Sequence, residues 1–364
     1  MASILTFLGK GGSGRTTLAV ALAKRLSGAG QRVLLTLHDP GPAPGMLLEA
    51  ELGNEPSLVA PQLWALQFQS ASLLEQGWKE IKELEGRYLR TPLLNAVYGQ
   101  ELGVLPGMDS ALALNALRQY DASGDYDVII YDGSGDLKTL RMLGMPEVLD
   151  WYARRFQAVF QQSDLYKTLS PFIQPISSAV LSVDWSNSLV DNSTGEMRGL
   201  LDQGRAAVHD PNRVMAMLVT TPAADAIATA RYLWGSAQQV GLTVGGVLVT
   251  GGDIGADNPF IPLPVQEIPS LIDSNWQPLM EALPDISTLV QQAPRSVEID
   301  VVAGTVRLFL PSFDKHQVKL TQSGPEVTID AGDQRRNLFL PQQLAGRPVQ
   351  GAKFQDQYLT ISFG

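Results

Sequence analysis

The 364-residue sequence contains no cysteine. That absence excludes an iron–sulfur cluster, a thiolate zinc site and any disulfide-based redox switch. A metal-cluster reductase is excluded with them. Histidine is scarce too: His38, His209 and His316 are scattered without metal-ligand spacing. Cations are outnumbered, with 27 Lys and Arg against 37 Asp and Glu, for a net charge of −10. Binding a phosphate backbone needs clustered Lys and Arg, so no nucleic-acid partner is expected. No apolar run approaches the roughly 20 residues of a membrane-spanning helix. The N-terminal ILTFL runs straight into a glycine-rich loop and does not read as a signal peptide. The expectation is a soluble chain with no stable membrane insertion, working in the cytoplasm.

What is present is a folding composition, 45% hydrophobic and 18% charged, in a chain long enough for two cores. SILTFL reads as a strand, GKGGSGRTT as a glycine loop, LAVALAKRLSGAG as a helix closed by glycine, and RVLLTL as a second strand. Together they form a βαβ unit. DVIIYD (127–132), VMAMLVTT (214–221) and GVLVTGG (246–252) read as further buried strands. The fold class expected is therefore α/β, a doubly wound, mostly parallel sheet.

Two insertions, about 70–105 and 150–205, read as a helical subdomain. In the first, Leu74, Trp78, Ile81 and Tyr88 fall near one face; in the second, Tyr152, Phe156 and Phe160 are spaced by four. Such stripes form ordinary core more often than a binding groove. After Pro294 the pattern changes. VEIDV, TVRLFL, HQVKLT, EVTID, RRNLFL and YLTISF alternate with period two between short turns, which is the pattern of an antiparallel β-sandwich. The expected division is a P-loop domain over 1–293 and a sandwich over 297–364. A sandwich of that size is marginal alone, so docking onto its own chain is expected.

GKGGSGRT at 9–16 fits G-x-x-x-x-G-K-[ST] except that Arg15 stands at the lysine position. Gly9, Gly11, Gly12 and Gly14 let the backbone N–H groups from Lys10 through Ser13 to Thr17 turn toward an anion at a helix start. Thr16 supplies a hydroxyl suited to Mg²⁺. Arginine still offers a planar pair of donors to phosphate, but it does not place charge as lysine does. Nucleotide binding is expected to survive and hydrolysis to be weakened.

Lys10, directly after the first glycine, makes the loop resemble the deviant Walker A motif of the arsenite-pump and tail-anchored-protein targeting ATPases. The resemblance implies ATP and Mg²⁺ as ligands and a homodimer in which Lys10 reaches the partner's nucleotide. LTLHDPGPAP resembles that family's switch I, with Asp39 at the carboxylate that positions the attacking water. VLPGMDSALALNALRQ resembles its Pro-Gly-Ile-Asp-Glu helix start, with Ser110 where an acid is usual. DYDVIIYDGSGDLKTLRMLGMPE resembles its Walker B and switch II. Asp132 stands at the Mg²⁺-side carboxylate and Thr139, Leu140 and Arg141 match, whereas Gly133, Ser134, Gly135 and Lys138 do not. GVLVTGG resembles the strand ending in an adenine-reading asparagine, with Thr250 in that place. The paired cysteines that hold zinc across many such dimers are absent, so no zinc site is expected.

RRNLFLPQQLAGRPVQGAKFQDQYLTISF resembles the α-crystallin domain of small heat-shock proteins. ATPase and crystallin domain in one chain resemble a cyanobacterial and plastid branch, which implies a bacterial cytosol or plastid stroma. The function implied is an ATP-driven homodimeric switch holding a hydrophobic client segment, such as that of a tail-anchored protein. The alternative is a nucleotide-binding chaperone or scaffold with little hydrolysis, which Arg15 and the altered switch loops favour. A partitioning or septum-positioning ATPase is opposed by the acidic charge and the β-rich C-terminus.

Overall fold

The computed structural model describes residues 1–88, 98, 101–162 and 193–364. Along the chain run β1 (Ser3–Leu8), α1 (Arg15–Gly28), β2 (Val33–Leu37), α2 (Ala43–Leu48), β3 (Ser57–Ala60) and β4 (Leu63–Gln67). Next come α3 (Ser70–Tyr88), α4 (Met108–Ser123), β5 (Val128–Asp132), α5 (Leu137–Gln162) and α6 (Ser193–His209). They are followed by β6 (Val214–Thr220), α7 (Ala224–Gln239), β7 (Thr243–Thr250), β8 (Val265–Ile268), α8 (Gln277–Ala282) and α9 (Ile286–Gln292). Seven C-terminal strands complete the chain: β9 (Val297–Asp300), β10 (Thr305–Phe309), β11 (Val318–Ser323), β12 (Glu326–Ala331), β13 (Gln334–Phe339), β14 (Val349–Gln355) and β15 (Tyr358–Phe363). The fold class is as expected: a mostly parallel central sheet with helices, and a separate antiparallel region at the C-terminus.

The chain divides into two compact units. One comprises Met1–Ala2, Leu26–Ile130 and Met142–Ala206; the other comprises Ser3–Arg25, Tyr131–Arg141 and Ala207–Gly364. In the first, strands run in the order β3-β4-β2-β5, with β2 and β4 parallel and β3 antiparallel to β4. Every residue of β2 is buried, as continuous apolar runs of central parallel strands require. Leu74 and Trp78 of α3 pack with Met108 and Leu112 of α4, so these two members of the aromatic stripe are core. Tyr152 is exposed. The side chains of Ile81, Tyr88, Phe156 and Phe160 lie outside the described residues, as does 163–192 of the second insertion.

In the second unit β1, β6, β7 and β8 are parallel neighbours in that order, with Ile4 opposite Val214 and Thr250 opposite Ile268. Strand β6 is buried throughout. Its C-terminal part holds a four-stranded sheet, β14-β15-β10-β9, and a three-stranded sheet, β11-β12-β13. Their facing sides alternate cleanly: Val306, Leu308, Leu359 and Ile361 from one sheet meet Val327 and Ile329 from the other. The sequence pattern anticipates six of these strands. It misses β14, whose outward residues and Gly351 give no apolar alternation, and it also misses β3, β4 and β8.

This sandwich packs on α7. Trp234, 1% exposed, meets the Phe309 ring edge-on at 5.6 Å between centroids. Gly235 is glycine for a steric reason, since a Cβ there would lie 2.4 Å from the Pro311 carbonyl oxygen. Arg336 donates to the Gln238 carbonyl at 3.0 Å, and the Asp333 amide donates to the Tyr232 hydroxyl at 3.0 Å.

Candidate functional site: a phosphate loop with an arginine

The glycine loop follows β1 and delivers the chain into α1, so the N–H groups of the first helical turn, which have no intrahelical partner, open at the end of a parallel strand. Gly12 and Gly14 adopt φ of +81° and +90°, which side chains other than glycine resist. Gly9 is fixed by crowding, because a Cβ would lie 2.1 Å from the Val219 carbonyl oxygen. A Cβ on Gly11 or Gly12 would meet nothing within 4 Å, so the loop faces open space there. The Ser13 hydroxyl is buried in the loop with no hydrogen-bond partner.

Asp132 is buried at the end of β5, and Thr16 lies in the first turn of α1. A hydroxyl and a carboxylate are hard oxygen donors of the type Mg²⁺ takes. The open glycine cradle, the orphaned Ser13 hydroxyl and this donor set fit a magnesium-bound nucleotide. Thr16 and Asp132 would hold the metal, and backbone N–H groups of 10–17 would hold the phosphates, apart from that of Ser13, which donates to Lys10 O at 3.2 Å.

Arg15 shapes the site most. Its guanidinium donates to the Gly133 carbonyl at 3.0 Å. Burial lowers the Arg15 pKa, opposed by the nearby charges of Asp132 and Asp136. It fits because Gly135 has no side chain: a Cβ there would fall 1.7 Å from the guanidinium. The two departures from the family pattern, at positions 15 and 135, are thus one steric solution. Gly133 is likewise cleared for the Tyr131 ring, 2.6 Å from where its Cβ would stand.

The 133–141 segment is tightly bonded. Gly9 N–H donates to Gly135 O at 2.9 Å, and Gly135 N–H to Thr139 Oγ1 at 3.0 Å. Asp136 accepts from Ser134 Oγ at 2.6 Å and from Lys138 N–H at 2.8 Å. Burial opposes ionisation of Asp136, yet the bonds from Ser134 and Lys138 and the charge of Arg15 hold its carboxyl below the usual range. Asp136, Gly133 and Gly135 are site residues that sequence reasoning misses. The one signal available was the DGSGD turn directly after the strand.

The remaining site residues are placed as follows. Thr250 braces the loop, its hydroxyl donating to Ser13 O at 2.9 Å. Lys10 is half exposed and pairs with Asp225 of its own chain, in the first turn of α7. The resemblance implied no role for Lys10 within its own subunit, so this pair is an addition, though an exposed one of small energy. Asp39 belongs to the other unit. There its carboxylate accepts from Gly41 N–H at 2.8 Å, which is the geometry of a turn-forming aspartate.

A strand, a glycine cradle, a helix start and a buried strand-end carboxylate now stand together, and the family model for anion-transporting ATPases matches residues 2–254. The chain belongs to that family. Its C-terminal part matches the HSP20-like domain found in ArsA, over residues 304–363. A protein of Chlorobaculum tepidum named as an arsenical pump-driving ATPase is 26% identical over 99% of this chain and 95% of its own length. Protein Rv2184c of Mycobacterium tuberculosis is 32% identical over 42% of this chain and 40% of its own. An ATPase ASNA1 homolog of Cryptosporidium parvum is 25% identical over 59% of this chain and 55% of its own. Family membership implies nucleotide binding, so the resemblance read in the loop stands.

Proposed function

We propose that the protein is an ATP-binding homodimeric switch that holds a hydrophobic client segment, as a tail-anchored-protein targeting ATPase would. What supports the nucleotide part is the open glycine loop before α1, with Thr16 in the first turn of that helix and Asp132 buried at the end of β5. When bound, Mg²⁺ would neutralise phosphate charge between Thr16 and Asp132. The backbone N–H groups orient the phosphates, Asp39 positions a water, and Lys10 leaves its exposed pair with Asp225 to reach the partner's nucleotide. Among the described residues no helix is long and apolar enough to cross a membrane. Calorimetry with ATP and ADP in the presence of Mg²⁺ tests the reading. Absence of both heat and thermal stabilisation at millimolar ligand would end it.

One observation favours a second reading, a nucleotide-binding chaperone or scaffold that hardly hydrolyses ATP. Arg15 is engaged with the Gly133 carbonyl, so the cation that should meet the developing phosphate charge is held elsewhere. Turnover in wild type and Arg15→Lys separates the two. A wild-type rate at background that rises at least tenfold in Arg15→Lys supports the scaffold; equal, substantial rates support the switch.

A further inference from the structure

The turn joining β12 to β13 brings Asp333 to the segment that follows Asp132. Its carboxylate forms an ion pair with Arg141, in the second turn of α5. Its backbone N–H is independently fixed by the Tyr232 hydroxyl of α7. Gly332, at φ +60°, lets the turn come this close, since a Cβ would lie 2.9 Å from the Phe313 ring and 3.1 Å from that of Tyr232. Arg141 is two residues past Thr139, which accepts from Gly135 N–H, and Gly135 accepts in turn from Gly9 of the phosphate loop. Two hydrogen bonds, the first turns of α5 and one ion pair therefore connect the phosphate loop through 133–141 to the C-terminal sandwich.

We propose that Asp333 is a positioning residue by which the C-terminal sandwich latches the 133–141 segment in the form that holds Arg15 on the Gly133 carbonyl. This rests on the nucleotide reading given above. For Arg15 to meet a phosphate it must leave that carbonyl, so the 133–136 turn must yield. A contact that stabilises the turn as it stands opposes the triphosphate, the ligand whose terminal phosphate most needs Arg15. It leaves the diphosphate, held by the backbone cradle, little affected. Linkage makes the effect reciprocal: a bound triphosphate loosens the Arg141–Asp333 pair. Because the pair is exposed, its influence is a few-fold and is screened by salt.

Calorimetry on the full-length protein tests the latch. In Asp333→Ala and in Arg141→Gln, ATP affinity should rise about threefold while ADP affinity is unchanged. Asp333→Glu, which keeps the charge, should behave as wild type. The double variant should add nothing to either single change. Unchanged ATP affinity, or ATP and ADP affinities moving together, overturns the proposal. Hydrogen exchange on the ligand-free protein keeps this separate from the nucleotide reading. Amides of 133–141 should exchange faster in Asp333→Ala, with the core of the sandwich unaltered. Should the wild type bind neither nucleotide, the nucleotide reading falls, and unaccelerated exchange in 133–141 would overturn the latch on its own.

Discussion

Gly135 and Arg15 are a pair in which each residue permits the other. A side chain at 135 meets the guanidinium and also a backbone at φ +64°, a region that costs an alanine about 1–2 kcal/mol. Gly135→Ala should therefore destabilise the protein by that amount or more in chemical denaturation. The loss should shrink in an Arg15→Lys background, where the guanidinium part of the clash is removed but the contact with Cδ and the backbone strain remain. Equal losses in both backgrounds would show that the arginine does not press on position 135. Asp39 poses a different question, because its carboxylate already has a structural use in the turn to Gly41. Asparagine preserves that acceptor and removes the charge. Asp39→Asn should thus fold and bind nucleotide as wild type while losing whatever turnover exists, as paired calorimetry and phosphate-release assays would show. The loop at 9–16 was legible because glycine spacing is a local signal. The fit of Arg15 over Gly135 was not, because it joins residues 120 positions apart through a van der Waals contact that no spacing rule encodes.

Among the elements, α9 shows how a short helix is fixed from both sides. Asp285 caps it by accepting from Thr288 N–H at 2.9 Å, while Arg25 of α1 donates to Pro284 O at 2.6 Å. Bonds from Ser287 and Thr288 lower the Asp285 pKa to about 2. A carboxyl depressed in the folded state contributes stability above its unfolded value, near 4, and loses it as pH falls toward the folded value. Asp285→Ala should cost about 1 kcal/mol at neutral pH. The gap from wild type should close between about pH 4 and pH 2, as urea titrations across that range would show. Elements with strong periodicity were read well from sequence: β1 is SILTFL at both ends, and six of the seven sandwich strands alternate visibly. The pairing of β3 with β4 was hidden, because Ser57–Ala60 is a short, half-exposed strand whose order comes from its neighbour. Of the stripe on α3, Leu74 and Trp78 pack with Met108 and Leu112 of α4, the ordinary core that helical spacing of apolar residues most often means.

For the whole molecule, the absence of cysteine makes assembly testable. A dimer of this chain has no thiolate for zinc, so a chelator should leave its mass in light scattering unchanged, and ATP should favour it over monomer. A dimer that dissociated on chelation would contradict this reading. Removal of 297–364 should have a larger effect than removing a loosely tethered module. Trp234 would lose Phe309, and the Gln238 carbonyl would lose Arg336. The truncated protein should melt roughly 5 °C lower or more, with red-shifted tryptophan fluorescence and new dye binding. An unchanged melting temperature would mean that the packing on α7 contributes nothing.

The C-terminal half of α7 carries a consequence for descent. Tyr232, Trp234 and Gly235 are matched to Phe313, Phe309 and the Pro311 carbonyl, so the helix bears the imprint of the part that follows it in sequence. A lineage that lost the C-terminal strands in one deletion would be left with a glycine-weakened helix whose Tyr232 and the Phe309 side of whose Trp234 are uncovered, with Phe260 still packing on that ring. It would survive only by changing several positions of that helix together. Aligned relatives that end near residue 295 should therefore carry small or polar residues where Tyr232 and Trp234 stand and a helix former where Gly235 stands. Those that keep the strands should keep all three, making this helix a marker of shared inheritance for both parts of the chain.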